Sequence, residues 1–203
     1  MINLFDVKTD NVTDYEETSM LLVFPKCSGK CGPACHNYNM IGKTAPLNVK
    51  VEDIVNLYNS LSDHKAVVCA GLEPFDSFDD LYALVEAFAN NSKPCDFVIY
   101  SGYYPYNDVS YENSTGITNV WELARKIVKI KGSNQDFTLY FKYGRYIEDP
   151  NDDGYDSRLL GVHLSSRNQT VSAFMNGEEV GSENRNNIYI ADSLLKKGKC
   201  KNV

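Results

Sequence analysis

Apolar residues in this chain occur either in short continuous runs or at the spacing of a helical face. Short runs bounded by Gly, Pro and polar residues are typical of buried strands. We predict four such strands, at residues 19–25, 65–70, 96–100 and 137–143. Helical spacing predicts three helices between these strands, at residues 51–61, 77–88 and 118–130. Ser77 is the predicted N-cap of the second helix. Strands that alternate with helices favour an α/β fold with a parallel sheet.

The pattern is weaker towards both ends of the chain. Beyond the fourth strand we expect two short strand regions and a basic, frayed tail, at residues 159–164, 188–190 and 196–201. We therefore predict a single domain over residues 1–203. It would consist of an N-terminal extension, a core and a C-terminal extension, at residues 1–18, about 19–176 and 177–203.

The loops that follow the first three predicted strands carry the candidate functional residues. A cysteine-rich loop follows the first strand, Gly71-Leu72-Glu73-Pro74 follows the second, and Ser101-Gly102-Tyr103 follows the third. Ligands bind at the carboxyl ends of the strands in parallel sheets. We therefore expect these three loops to converge on one edge of the sheet.

Composition and charge narrow the classes of protein that fit. With 203 residues, 43% of them apolar, the chain can bury the core of a globular domain. Its net charge of −7 argues against broad binding to nucleic acid. No run reaches the ~18 apolar residues of a membrane span, and residues 1–10 lack the pattern of a signal peptide. We expect a cytoplasmic protein that binds neither nucleic acid nor a membrane.

Cysteines give the clearest indication of chemistry. Three of the six lie within nine residues on a loop rich in Gly and Pro: Cys27, Cys31 and Cys35. The other three are isolated and are predicted to be free thiols: Cys69, Cys95 and Cys200. In a reducing compartment a cysteine cluster indicates a metal site or catalysis. A structural zinc ion needs four ligands, so His36 or a distant cysteine would have to complete it. A cubane iron–sulfur cluster on three cysteines instead leaves one iron open for a ligand.

The segment Cys27-Ser-Gly-Lys-Cys31-Gly-Pro-Ala-Cys35-His36-Asn37 resembles the cluster loop of radical S-adenosylmethionine (SAM) proteins. It most resembles that of the activating proteins of anaerobic ribonucleoside-triphosphate reductase, in which an aromatic residue and an asparagine follow the third cysteine. Here His36 takes the aromatic position, and three residues instead of two separate Cys31 from Cys35. Four further segments resemble motifs of the same family in the same order, at residues 71–74, 100–103, 143–147 and 165–169.

The resemblance implies a fold and a set of site residues. The fold would be a partial (β/α) barrel of the radical SAM type, with a mostly parallel sheet and an N-terminal extension. The metal ligands of a [4Fe–4S] cluster would be Cys27, Cys31 and Cys35. The residues implied to contact SAM are Asn37, Gly71, Leu72, Glu73, Pro74, Ser101 and Gly102. Arg145 is a candidate for holding a carboxylate, and no catalytic side chain is assigned beyond the cluster.

The resemblance also implies an activity. The protein would be an oxidoreductase that cleaves SAM and forms a glycyl radical on the large subunit of an anaerobic ribonucleotide reductase. It would draw electrons from a one-electron reductant such as flavodoxin. Two alternatives stay open: a non-catalytic zinc or iron–sulfur protein that mediates binding, and a radical SAM enzyme that acts on another substrate.

Overall fold

The computed structural model describes residues 1–104, 108–109, 113–148, 158–184 and 187–190. The strands of this part of the chain are β1 (Ile2–Leu4), β2 (Asp6–Asn11), β3 (Ser19–Phe24), β4 (Leu47–Val49), β5 (Ala66–Gly71), β6 (Cys95–Ser101), β7 (Phe137–Tyr143), β8 (Arg158–Leu159), β9 (Val162–His163), β10 (Thr170–Met175), β11 (Glu178–Asn184) and β12 (Asn187–Ile190). The helices are α1 (Val51–Ser60), α2 (Phe78–Asn91) and α3 (Val120–Val128). None of these helices is long and apolar enough to cross a membrane.

Eight strands form one mixed sheet in the order β12-β11-β10-β7-β6-β5-β3-β2. At its centre β3, β5, β6 and β7 pair in parallel. These four strands are the continuous apolar runs of the sequence, which is typical of parallel strands because both of their faces are covered. Helices α1, α2 and α3 lie on the successive crossovers between them. The two remaining pairs of strands, β1 with β4 and β8 with β9, stand apart from this sheet.

The predicted partial (β/α) barrel with a mostly parallel sheet is wrong. Four of the seven strand pairings in the sheet are antiparallel, and its edge strands β2 and β12 do not meet, so the described strands form no closed barrel. The physical reason lies beyond β7, because the next strand of the sheet, β10, pairs antiparallel with β7. Asn176 and Gly177, whose φ angles are +52° and +86°, then form a tight hairpin turn that pairs β11 antiparallel with β10. The parallel part of the sheet therefore ends at β7.

Different layers cover the two faces of the sheet. Val67 and Phe97 face the three helices and belong to the larger of two apolar cores. Val68, one residue further along β5, faces the opposite side, where Tyr15 and residues 159–164 contribute to the second core. Near the carboxyl ends of the parallel strands this second face borders a cavity.

The predicted helices and the four central strands are confirmed to within a few residues. The short strands expected near residues 159–164 and 188–190 are present as β8, β9 and β12, whereas β1, β2, β4, β10 and β11 were not predicted. The ranges predicted as terminal extensions contribute β2, β11 and β12 to the sheet. Ser77 precedes α2 as predicted, but its side chain makes no capping hydrogen bond. The predicted frayed tail and Cys200 lie outside the described residues.

Candidate cofactor site

The cysteine loop, which we define as residues 27–37, follows β3. Gly29 and Gly32 within it both have a φ of +73°, which allows the chain to turn between successive cysteines. Cys27, Cys31 and Cys35 are all half-buried. All three line the same cavity of about 830 Å³. The three predicted ligands therefore border one cavity.

A carboxylate from the loop before α2 anchors the first part of the cysteine loop. The backbone N–H of Ser28 donates to Oδ2 of Asp76 over 2.8 Å. The Tyr103 hydroxyl donates to Oδ1 of Asp76 over 2.5 Å, and its oxygen lies 3.1 Å from Oγ of Ser28. Asp76 was not among the predicted site residues, because nothing in its local sequence indicates a partner 48 residues away.

A second carboxylate anchors the middle of the cysteine loop. Nζ of Lys30 lies 3.2 Å from Oδ1 of Asp108 and 4.5 Å from the centre of the Tyr103 ring. The same carboxylate oxygen lies 2.5 Å from Nη2 of Arg145. Arg145 was a candidate for holding a carboxylate, and in this structure the carboxylate that it holds is that of Asp108.

Residues 71–74 run from the end of β5 alongside the start of the cysteine loop, where the backbone N–H of Glu73 donates to the carbonyl of Lys26 over 2.7 Å. Gly71 has a φ of +91°, and a Cβ there would lie 2.5 Å from Cγ1 of Val23, so this position requires glycine. Leu72 has an ordinary negative φ, so a side chain is tolerated there. Pro74 is buried at the start of a short 3-10 turn, Pro74–Ser77.

The buried carboxyl group of Glu73 connects the loop after β5 to the loop after β6. Its two oxygens accept hydrogen bonds from the backbone N–H groups of Phe75, over 3.1 Å, and Gly102, over 2.8 Å. Burial, assisted by the nearby charge of Asp76, raises the pKa of Glu73 to about 8. Glu73 therefore has a structural task in addition to facing the cavity.

The other predicted SAM contacts also sit where the loops meet. Nδ2 of Asn37 donates to the carbonyl oxygen of Gly71 over 2.6 Å and so joins the end of the cysteine loop to β5. Oγ of Ser101 accepts a hydrogen bond from the backbone N–H of Tyr103 over 3.0 Å. A Cβ on Gly102 would lie only 3.0 Å from Sγ of Cys31. This close approach between β6 and the cysteine loop depends on glycine.

The predicted convergence of the three loops is confirmed. Nine of the ten predicted site residues line the one cavity: Cys27, Cys31, Cys35, Asn37, Gly71, Leu72, Glu73, Ser101 and Gly102. The tenth, Pro74, does not line it. Cys69 and Cys95 are buried, and neither is in a disulfide with another cysteine of the described residues, as predicted.

Lys142 on β7 also lines this cavity but was not among the predicted site residues. It is only 4% exposed, its Nζ donates to Oγ of Ser165 over 3.0 Å, and it lies 4.2 Å from the centre of the Tyr100 ring. Burial lowers the pKa of Lys142 to about 8. The ion pairs found among the described residues do not include it. A single lysine within the apolar run Phe137–Tyr143 was the signal that could have identified it.

Burial also acts on the thiols of the cysteine loop. It raises the pKa of Cys27 to about 11. It raises the pKa of Cys31 as well, although a hydrogen bond from the backbone N–H of Tyr146 and the charge of Arg145 act in the opposite direction. Metal ligation requires thiolates, so binding a metal here would release protons and would weaken as the pH falls.

The cysteines fit an iron–sulfur cluster by the chemistry of their donor atoms. Thiolates are the usual ligands of such clusters. The thiols lie near one another, since Cys31 contributes to the raised pKa of Cys27 and Cys35 contributes to the raised pKa of Cys31. Across the described ranges, no three His, Cys, Asp or Glu side chains already stand in a metal-binding arrangement. The three thiols would therefore have to turn towards a common point when a cluster binds.

Comparison with known proteins identifies no relative of this chain. No family model, no curated protein and no solved structure matches it. The motifs in the sequence and the geometry of the cavity are therefore what supports a function.

Proposed function

We propose that this chain is an iron–sulfur enzyme that cleaves SAM. A [4Fe–4S] cluster is held by Cys27, Cys31 and Cys35, and SAM binds in the adjoining cavity. When bound, the cluster supplies the electron for reductive cleavage of SAM, and the protein supplies binding, orientation and exclusion of water. By the resemblance of its motifs, the enzyme activates an anaerobic ribonucleotide reductase by forming a glycyl radical on its large subunit.

The observation that carries this proposal is the convergence of two independent sets of residues. Three thiols from one loop and the resembling motifs that follow β5 and β6 line a single cavity of about 830 Å³. These residues are separated by up to 75 positions in the sequence, from Cys27 to Gly102. A parallel sheet brings the ends of these strands to one edge in any case, so the support for the proposal is that thiols and resembling motifs occupy all three of the loops that meet there.

The cavity offers groups suited to an amino-acid moiety such as that of SAM. Lys142 brings a buried positive charge to the cavity, which favours a carboxylate. Residues 71–73 line the same cavity as the cysteines, and hydrogen bonds of Asn37 and Glu73 hold them in position. Leu21 and Val23 provide apolar wall, which favours the exclusion of water.

The proposal includes three further elements that follow from the resemblance. The radical acceptor is a glycine of a large partner protein, the electron donor is a one-electron reductant such as flavodoxin, and the protein works in the cytoplasm. A reducing cytoplasm suits this site because the three cysteines must stay reduced to bind a cluster.

Anaerobic reconstitution tests the cluster directly. The protein is incubated with iron and sulfide, and bound iron, bound sulfide and dithionite-dependent cleavage of SAM are measured. We expect about four iron atoms per chain and formation of methionine, because a cubane cluster contains four irons. Cys27→Ser should lose both iron and cleavage. Cys95→Ala, which removes a buried thiol remote from the loop, is the matched control and should keep both.

A zinc protein is the alternative that the same experiment decides. His36 follows Cys35 and lines the cavity, although its ring packs against Tyr146 with centroids 4.8 Å apart. One zinc ion per chain with no uptake of iron would overturn the proposed function. If iron binds and SAM is cleaved, mixing with a candidate reductase and recording the glycyl radical by electron paramagnetic resonance tests the partner. Absence of that signal with cleavage intact would favour another substrate.

A further inference from the structure

A second cavity, of about 390 Å³, lies on the face of the sheet that carries the three helices. Its walls come from α3, from β7 and from the hairpin of β10 and β11, and we call it the α3 cavity. Ser101 at the end of β6 lines both this cavity and the proposed cofactor cavity. The volume of the α3 cavity is within the range of about 300–1,000 Å³ that is typical of small-molecule sites.

Three phenylalanine rings form a continuous wall of the α3 cavity. The rings of Phe75 and Phe141 are stacked with centroids 6.1 Å apart, and the ring of Phe174 packs edge-on against Phe141 at 5.7 Å. Trp121 of α3 lines the same cavity. Aromatic rings favour stacked or edge-to-face contacts with further rings. The wall therefore suits a ligand with an aromatic body.

The sheet side of the α3 cavity carries two serine hydroxyls. Ser172 on β10 is paired with Phe141 of β7 on one side and with Ser182 of β11 on the other, so these three side chains share the helix-facing side of the sheet. Ser172 is only 6% exposed, and its Oγ lies 3.4 Å from Oγ of Ser182, beyond the usual O–H···O distance of about 2.8 Å. Larger apolar side chains at these two positions would occupy part of the cavity. The serines instead leave both volume and hydrogen-bonding capacity to a ligand.

Positive charge is in excess around the α3 cavity. Arg125 of α3 and Lys129 just after it are exposed, lie four residues apart and both line the cavity. Glu179 of β11 lines it as well, which leaves one net positive charge. The ion pairs found within the described part of the chain include none of these three side chains. An anionic group on a ligand would therefore be attracted to the α3 side of the cavity.

We propose that the α3 cavity binds a small molecule that has an aromatic body and one anionic group, such as a carboxylate or a sulfonate. The aromatic body lies against the phenylalanine wall, Arg125 and Lys129 hold the anionic group, and Ser172 forms a hydrogen bond with a polar atom of the ligand. This inference goes beyond the proposed function and does not require a cluster, because the site uses neither the cysteines nor Lys142.

Two probes with the same aromatic body test the inference on the full chain. Anilinonaphthalene sulfonate (ANS) carries an anionic group, whereas phenylnaphthylamine (NPN) does not. Trp121 is the single tryptophan of the chain and lines the cavity, so its emission reports the binding of either probe without a label. Affinity and stoichiometry are measured by titration, and folding of each variant is measured by urea unfolding.

The variants address the volume and the charge of the cavity separately. Ser172→Leu and Ser182→Leu each fill part of the cavity from the sheet. A double variant, Arg125→Gln with Lys129→Gln, removes its positive charges. Lys126→Gln is the control, because Lys126 is an exposed basic residue in the last turn of α3 but does not line the cavity.

We expect the wild type to bind one molecule of either probe, with ANS bound more tightly. The leucine variants should unfold at the same or a higher urea concentration and lose binding of both probes. The double variant should bind ANS about tenfold more weakly and NPN as the wild type does, and the control should match the wild type.

Three results would each overturn the inference. The first is a wild type that binds neither probe saturably, and the second is unchanged binding of both probes in the folded leucine variants. The third is a double variant that loses no more affinity for ANS than for NPN. The double variant alters exposed side chains only, so it decides the question even if a leucine variant fails to fold.

Discussion

Lys142 and Glu73 are buried ionisable residues that line the cavity, and the pKa of each lies near 8. For the lysine this is a decrease and for the glutamate an increase, because burial favours the neutral form of both. Buried groups with displaced pKa values cost folding stability and are concentrated at functional sites. Each of them therefore allows a test in which stability and ligand binding can be measured separately.

Replacing Lys142 by methionine should stabilise the metal-free protein and weaken ligand binding. At pH 7 the folded protein carries an ammonium whose pKa lies near 8 instead of 10.5, and removing it gains at most about 3 kcal/mol. The measurements are urea unfolding of the metal-free protein and equilibrium binding of SAM to the reconstituted protein. Lys126→Met, an exposed change on α3, is the control. A Lys142→Met protein that is less stable and binds SAM normally would contradict the assignment.

The same lysine predicts how SAM binding depends on pH. Lys142 is charged below its pKa of about 8 and neutral above it. Binding of a carboxylate through this side chain should therefore weaken as the pH rises through 8. Lys142→Met should remove that dependence, and a wild-type binding curve that is flat between pH 7 and 9 would exclude Lys142 as the carboxylate ligand.

Glu73 should make the protein less stable as the pH rises. Its folded pKa of about 8 lies above the usual 4.5, so the folded state binds the proton more tightly. The resulting stability is fully present below pH 4.5 and is lost as the pH rises to 8, by up to about 5 kcal/mol. Urea unfolding at several pH values should show this slope in the wild type and a flatter one in Glu73→Gln. Glu122→Gln, which alters an exposed acid on α3, should keep the wild-type slope.

Two glycine variants distinguish the close approach of β6 to the cysteine loop from ordinary packing: one at Gly102, which follows β6, and one at Gly132, which lies between α3 and β7. Gly102→Ala places a Cβ 3.0 Å from Sγ of Cys31, a thiol that can turn away, so the metal-free protein should keep its stability but lose most of its iron on reconstitution. Gly132→Ala places a Cβ 1.8 Å from the carbonyl oxygen of Ala89, which cannot move alone. That variant should lose about 1–3 kcal/mol in urea unfolding. Normal iron content in Gly102→Ala would contradict the geometry of the site.

At the scale of strands and helices, the pattern of apolar residues was sufficient to predict an element wherever that element buries a continuous apolar run. Strand β7 was predicted at Phe137–Tyr143 and is found there. A strand that is covered on both faces is read from the sequence as one nearly continuous apolar run. Strand β11, Glu178–Asn184, was missed because only two of its seven residues are buried. The hairpin signal Asn176-Gly177 was nevertheless present in the sequence, and it predicts the antiparallel turn that replaces a further crossover.

In the candidate site, too, some residues could be predicted from the sequence and others could not. The cysteines and residues 71–74 and 101–102 could be placed together because each directly follows a strand of the parallel centre. The anchoring carboxylates Asp76 and Asp108 could not, since their partners Ser28 and Lys30 are brought near only by the folded chain. Sequence patterns identify which strand ends meet, whereas the polar contacts between the loops depend on tertiary geometry.

The cavity proposed to hold the cofactors lies where four segments that are distant in sequence meet. The cysteine loop, the loops after β5 and β6, and β7 with Lys142 all line the cavity. A cofactor bound there would contact segments from across the parallel centre of the sheet. Binding to the folded state alone stabilises a protein by RT ln(1 + [L]/Kd), which is about 2.7 kcal/mol when the ligand is at 100 times its Kd. Loading the site should therefore raise the free energy of unfolding of the whole domain.

Cys27→Ser and Cys69→Ser should separate this ligand effect from the stability of the fold. Cys27 is half-buried on the cysteine loop, so the metal-free Cys27→Ser protein should unfold at the same urea concentration as the metal-free wild type. It should gain nothing from anaerobic reconstitution, whereas the wild type should become more stable.

Cys69 is fully buried on β5, where a serine hydroxyl has to be buried in an apolar core. Cys69→Ser should therefore lose about 1–3 kcal/mol without metal, and its remaining folded fraction should still be stabilised by reconstitution. Stabilisation of Cys27→Ser equal to that of the wild type would show that the metal binds elsewhere.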